Sequence, residues 1–299
     1  MTKRTVVTAL ALSMWSVSAL AVSLGTDITY FDNRVDSNAD PVLNDWWNGG
    51  TPDPRVNGGL SVGEDQEVEP SAAPGQSFDL EGVYLTDAGI LSLVGGYDFA
   101  NGVGGYLSGD IFIDIDPTFA PTNTPGSVEP PNPTGAGYEY VIDITPAAGS
   151  GLLATYNVYA ISGLTVGSGL LGATSLAAEP VLQESNPWRL DDTYIPNLQL
   201  VASGALTLTG YASDAALAAA YDNYATDYVP VGDQHYVLSG FDLSSFLNLD
   251  TTTLYIHNTM QCGNDVLTGF VPVPEPSTYA LLGLGLAAAA AKRRFCKVS

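Results

Sequence analysis

Seven residues set the terms for this chain. From Asp110 to Asp116 it reads Asp-Ile-Phe-Ile-Asp-Ile-Asp. Successive side chains of a strand point to opposite faces. Ile111, Ile113 and Ile115 therefore share one face, and Asp110, Phe112, Asp114 and Asp116 share the other. Short apolar runs of this alternating kind recur along the chain, a strand pattern rather than a helical one. They predict strands at 22–31, 78–85, 89–94, 107–115, 138–144, 153–161, 198–208, 236–243 and 253–257. Turn signals such as Thr86-Asp87-Ala88-Gly89 and Val94-Gly95-Gly96 separate them. Residues 32–76, with Trp46-Trp47 in the middle, and the six-proline segment 117–133 read as loops. One helix is expected, with Ser213 or Asp214 capping a run over 215–224. The expectation is an all-β chain: a single β-sandwich, with the jelly roll as one topology it admits, and one short helix.

Three carboxylates on one strand face repel unless they are solvated, paired or bridged by a cation. Tyr138-Glu139-Tyr140-Val141-Ile142-Asp143 reads as a nearby strand with two more acids. Asp110, Asp114 and Asp116 are thus a candidate oxygen-ligand site, suited to calcium. The alternative is a plain solvent face. The spacing is not that of an EF-hand, which needs Gly at the sixth position and Glu at the twelfth.

Charge is sharply partitioned. Between Val22 and Pro274 there are 31 carboxylates against Arg34, Arg55 and Arg189, a net of −28. Such a surface repels nucleic acid and anionic lipid. It suits divalent cations, basic partners or simply solubility. Acidic chains are often disordered, but this one is 45% hydrophobic, with 16 Tyr, 9 Phe and 4 Trp to build a core. Cys262 is the one cysteine of that stretch, and His235 and His257 are the two histidines, so a structural zinc site is not expected.

The two ends differ from the middle. Lys3 and Arg4, the apolar run 6–12 and Ala19-Leu20-Ala21 have the order of a secretory signal peptide cleaved after Ala21. At the other end Pro272, Pro274 and Pro276 exclude a helix. The uncharged run 279–291 follows, and then Lys292-Arg293-Arg294, which would stay on the cytoplasmic side. Thirteen residues make a rod of roughly 20 Å, short of a ~30 Å hydrocarbon core. The expected division is a signal peptide at 1–21, an exported sandwich at 22–270 and a sorting segment with a short transmembrane helix at 271–299.

Pro274-Glu275-Pro276, the Ser277-Thr278 pair, the apolar run and the basic cluster resemble the PEP-CTERM sorting signal of Gram-negative bacteria. The resemblance implies an exosortase as partner and transient residence in the inner membrane. It also implies processing on the way to the cell surface or extracellular matrix. Pro274, Glu275 and Pro276 would be the sorting motif, and Lys292, Arg293 and Arg294 the stop-transfer cluster. Two further stretches, 109–114 and 257–265 with Cys262-Gly263-Asn264-Asp265, resemble elements of one group of PEP-CTERM proteins. No ligand comes with that likeness.

Motifs for chemistry lack their context. Gly59-Leu60-Ser61-Val62-Gly63 has the nucleophile-elbow pattern but sits among prolines and acids where no helix can start. Gly167-Ser168-Gly169-Leu170-Leu171-Gly172 has a dinucleotide-like pattern without a βαβ unit. Asp191-Asp192 is better suited to a turn than to glycoside hydrolysis. No cofactor is expected beyond calcium. The expected function is an exported, non-enzymatic surface or matrix protein, structural or adhesive, with extracellular polysaccharide or matrix as the further partner. The alternatives are a carbohydrate-binding module, calcium-dependent or using Trp and Tyr platforms, and a glycoside hydrolase.

Overall fold

A computed structural model describes residues 23–29, 76–117, 137–144, 154–174, 186–221, 234–263 and 265–271. The strands, in chain order, are β1 (Thr26–Asp27), β2 (Leu80–Leu85), β3 (Ile90–Gly95), β4 (Ser108–Asp114), β5 (Tyr140–Asp143), β6 (Thr155–Ala160) and β7 (Thr165–Val166). β8 (Gly169–Leu171), β9 (Arg189–Leu190), β10 (Gln199–Ala205), β11 (Thr207–Tyr211), β12 (His235–Asp242), β13 (Leu254–Met260) and β14 (Val266–Val271) follow. The helix α1 (Asp214–Ala220) lies between β11 and β12. Ser213 caps it, its hydroxyl accepting from the Ala216 N–H.

Two antiparallel sheets make a sandwich-like pair, as the alternation predicts. One has the order β1-β2-β3-β12-β11 and the other β10-β6-β5-β4-β13-β14. Alternate residues of both sheets meet between them: Val83, Leu91, Leu93 and Leu238 from the first, Ile111, Ile113, Ile142, Val158 and Ile256 from the second. Full burial of such a side chain contributes about 1.5–3 kcal/mol.

The outer faces are covered as well. Phe112, Val141, Tyr159 and Tyr255 point away from the main core, and Leu170 of β8 and Leu190 of β9 close over them. The small sheet β7-β8-β9 is therefore a lid on the six-stranded sheet. Leu217 of α1 packs with Tyr84, Val94 and Val237 on the outer face of the other sheet. The polar side of β4 is thus not a free solvent face over its whole length.

The sandwich is bridged at both open sides. β10 and β11 are nearly continuous: the chain leaves the six-stranded sheet at Ala205 and enters the five-stranded one at Thr207. On the opposite side the segment 26–29 clasps the two sheets together. Thr26 and Asp27 pair with Leu85 and Tyr84, the Ile28 N–H donates to Val83 O, and the Phe270 N–H donates to Ile28 O. Thr29 completes the clasp with a bridge to Gly269 of β14.

β14 immediately precedes Pro272, and its apolar residues run into the proline-rich stretch, so periodicity alone does not separate it. β7, β8 and β9 are two or three residues long, too short for any pattern. The expected transmembrane helix and the signal peptide lie outside the described residues. Among the described residues no helix is long and apolar enough to cross a membrane.

Candidate functional site

The acids of β4 divide into two environments. At the end of the strand, Asp114 and Asp116 are joined by Glu139, which stands just before β5. One carboxylate oxygen from each lies within 4.8 Å of the others. Backbone geometry holds them there. The Glu139 N–H donates to Ile113 O at 3.0 Å, which brings β5 alongside β4. The Ile115 N–H donates back to Glu139 Oε2 at 3.0 Å, and the Asp116 N–H to Asp114 Oδ1 at 2.9 Å. Partial burial raises the carboxyls of Asp114 and Glu139 above the usual range, and the neighbouring carboxylates, Asp116 for the one and Asp114 and Asp116 for the other, add to the rise. Three oxygens at this spacing can share a proton or ligate a divalent cation, with water completing the shell.

Asp110, the third residue of the predicted trio, is placed elsewhere. It is 1% exposed and lies under the lid. Its Oδ1 accepts from the Ile144 N–H at 3.0 Å, and its Oδ2 from the Leu190 N–H at 2.8 Å. One carboxylate thus ties the centre of β4 to the end of β5 and to β9. Burial, reinforced by the Asp143 charge, pushes its pKa up to about 7. Period-two alternation puts Asp110 and Asp114 on the same side of β4. It cannot see that the lid covers only the first of them.

Gly109 explains how the lid reaches so close. A Cβ there would collide with the carbonyl oxygens of Thr259 and Trp188. The Asp110 N–H donates to Trp188 O at 2.8 Å. The stretches 109–114 and 257–265, separate in sequence, become neighbours: β13 pairs with β4, His257 opposite Phe112 and Asn258 opposite Ile111. His257 is fully buried. Its Nε2 lies 3.1 Å from Pro187 O and must carry the proton, since a carbonyl only accepts. Burial lowers its pKa to about 4, so it is neutral near pH 7. Asp265 Oδ2 accepts from the Leu80 N–H at 2.6 Å and so joins the two sheets.

His235 sits in a second buried group, which sequence reasoning missed because its members lie far apart. Its Nδ1 is 2.7 Å from Glu81 Oε1, and Gln76 Nε2 donates to the same oxygen at 2.6 Å. The group lies against the end of β3, where a Cβ on Gly96 would collide with Gln76. Only the bare Gly95-Gly96 pair hinted at room there.

The remaining expected features are structural or lie beyond the described residues. Asp191 Oδ1 accepts from the N–H and the hydroxyl of Thr193 in a turn, and Asp192 pairs with Arg189 at 3.1 Å. Gly169–Leu171 is a strand, so no helix opens on those glycines. Trp188 is buried. Trp46, Trp47, Ser61 and the residues 274–276 and 292–294 are not among those described.

Cys262 is 4% exposed and stands in the main core with Met260 and Leu267. A buried thiol in apolar surroundings is inert. We expect slow labelling by a thiol reagent in the native protein and fast labelling in denaturant. Equal rates in the two states would place the sulfur at the surface.

Comparison with known proteins adds one finding. Residues 272–294 match the model of the PEP-CTERM protein-sorting motif. No curated protein matches the chain. No solved structure matches it either. The chain is therefore an exported protein with a C-terminal sorting signal of the kind an exosortase recognises. The matched segment begins at Pro272, the residue after β14.

Proposed function

We propose that this chain is a non-enzymatic structural or adhesive protein of a Gram-negative cell surface or extracellular matrix, delivered there by exosortase processing. The observation that carries the reading is the sorting motif at 272–294, which begins at the residue after β14, the last strand among the described residues. The supporting context is a sandwich with a net charge of −28 between Val22 and Pro274. Surface material should lack Arg293, Arg294 and Cys296 when its peptides are mapped by mass spectrometry. Glu275→Ala should leave a full-length precursor in the inner membrane and abolish the cohesion that the wild-type gene restores to a deletion strain. Recovery of an intact C-terminal Val298-Ser299 peptide from the surface fraction would make the tail a plain anchor. Unchanged cohesion without the protein would refute the structural role.

A calcium-assisted binding role is the second reading, favoured by the grouping of Asp114, Asp116 and Glu139. A cation bound only by the native state stabilises it by mass action. Millimolar calcium should raise the melting temperature, and Asp114→Asn should reduce that rise. In chelator the same variant should be slightly more stable than wild type, because the raised carboxyls there are costly when ionised. A melting curve indifferent to calcium would make the three acids a solvated face.

A further inference from the structure

The acids are unevenly spread over the fold, and one long edge has none. From Thr193 to Ser213 the chain carries no charged residue, although Asp192 and Asp214 flank it. This stretch includes β10 and β11, which form the outer edges of the two sheets on the same side of the sandwich. β6, the strand behind β10, is also uncharged. Gln199, Leu200, Ser203, Ala205, Thr207 and Gly210 are exposed, Leu200 at 55%.

An edge strand presents a row of unpaired N–H and C=O groups and is a template for another strand. Proteins blunt such edges with charges, proline or a bulge. Here the protection is slight. Neither β10 nor β11 contains a proline or a charge. The single register shift of β10 falls between Leu200 and Ala202, and Ala202 to Ala205 then pair with β6 in unbroken register. The opposite side of the sandwich is different: there the segment 26–29 clasps β2 to β14. Among the described residues no strand pairs with the outer side of β10 or β11, whereas the clasp pairs with the outer strands β2 and β14 on the opposite side.

We infer that the β10–β11 edge docks a second copy of this chain, β10 against β10 in antiparallel register, joining two six-stranded sheets into one. The occupant follows from charge and symmetry. Two copies whose stretches from Val22 to Pro274 each carry a net of −28 repel over most of their surface. An uncharged edge is where they can touch. An antiparallel pairing of one strand with its own copy is isologous and closes as a dimer. Ala202, Ser203, Gly204 and Ala205 are small enough to admit the facing backbone. A shared sorting route also gathers the copies at one membrane, which raises their local concentration. The inference rests on the fold and the charge distribution and does not depend on the structural or adhesive role proposed above.

The test is sedimentation velocity of the full chain in mild detergent over a concentration series. Wild type should move from monomer to dimer, and added salt should favour the dimer by screening the repulsion between copies. Ser203→Glu with Ala205→Glu, both exposed on β10, places like charges at the shared strand and should weaken the dimer on the order of tenfold. Thr251→Glu, on an exposed turn elsewhere, should leave it intact. Circular dichroism should show all three proteins equally folded. Amide exchange across 199–205 should slow as wild-type concentration rises and should not in the double variant. A monomer at every concentration, a dimer that survives the double substitution, or one lost equally with Thr251→Glu would each overturn the proposal. So would an edge protected only by an unrelated protein.

Discussion

Asp110→Ala should be among the most damaging single substitutions in this protein at pH 5, and markedly less so at pH 8. The carboxylate accepts from the N–H groups of Ile144 and Leu190, both in the buried junction of β4, β5 and β9. Removing it leaves two backbone donors without a partner, each costing about 1–3 kcal/mol. The pH dependence follows from the raised pKa. Asp110 titrates at about 7 when folded and near 3.8 when unfolded. Between those values the native state binds the Asp110 proton more tightly, so the contribution of Asp110 to stability falls as pH rises from about 4 to 7 and is flat above that. Above pH 7 the wild type already bears an ionised Asp110 beside Asp143, and the variant escapes that cost. Urea unfolding at the two pH values, followed by fluorescence, measures the difference. An equal loss at both would mean that Asp110 is not raised, and no loss at either would mean that its two hydrogen bonds do not form.

The second large effect concerns the pair Glu81 and His235. Their side chains are 2% and 0% exposed and 2.7 Å apart. Breaking such a pair by removing one partner costs about 3–5 kcal/mol, because the other polar group stays buried with less to satisfy it. Glu81→Ala should therefore lower stability by about that amount and also strip Gln76 Nε2 of its short hydrogen bond. Replacing both residues with leucine should recover much of the loss, since an apolar pair of similar volume is often nearly neutral. The readout is a double-mutant cycle in urea. Additive losses would show that the two side chains do not interact.

These two groups mark where the sequence is legible and where it stops. Ile111 and Ile113 announce β4 by alternation alone, and they fill the core between the sheets as expected. Ser213 announces the start of α1 by its chemistry. The grouping of Asp114 with Asp116 is readable from spacing, and Glu139 from the likeness of its segment to a neighbouring strand. Asp110 looks identical to Asp114 in that pattern, yet a lid built from strands of two and three residues covers it. Those strands are held by Leu170 and Leu190 meeting Phe112, contacts between distant positions that leave no periodic trace. The Glu81–His235 pair spans 154 residues and is hidden for the same reason. β14 escapes notice because its apolar run merges with the sorting segment behind it.

The clasp at residues 26–29 has a mechanical meaning. Any pull on the tail enters the sandwich through Val271, the end of β14. An unsupported edge strand would peel from β13 one hydrogen-bonded pair at a time, starting with Val271 and Leu254. The bridge from Gly269 to Thr29 and the bond from the Phe270 N–H to Ile28 O hold the strand from its other side. Tension is then divided between β13 and, through the clasp, Val83 and Tyr84 of the opposite sheet. Both sheets share the load within three residues of the point where it is applied.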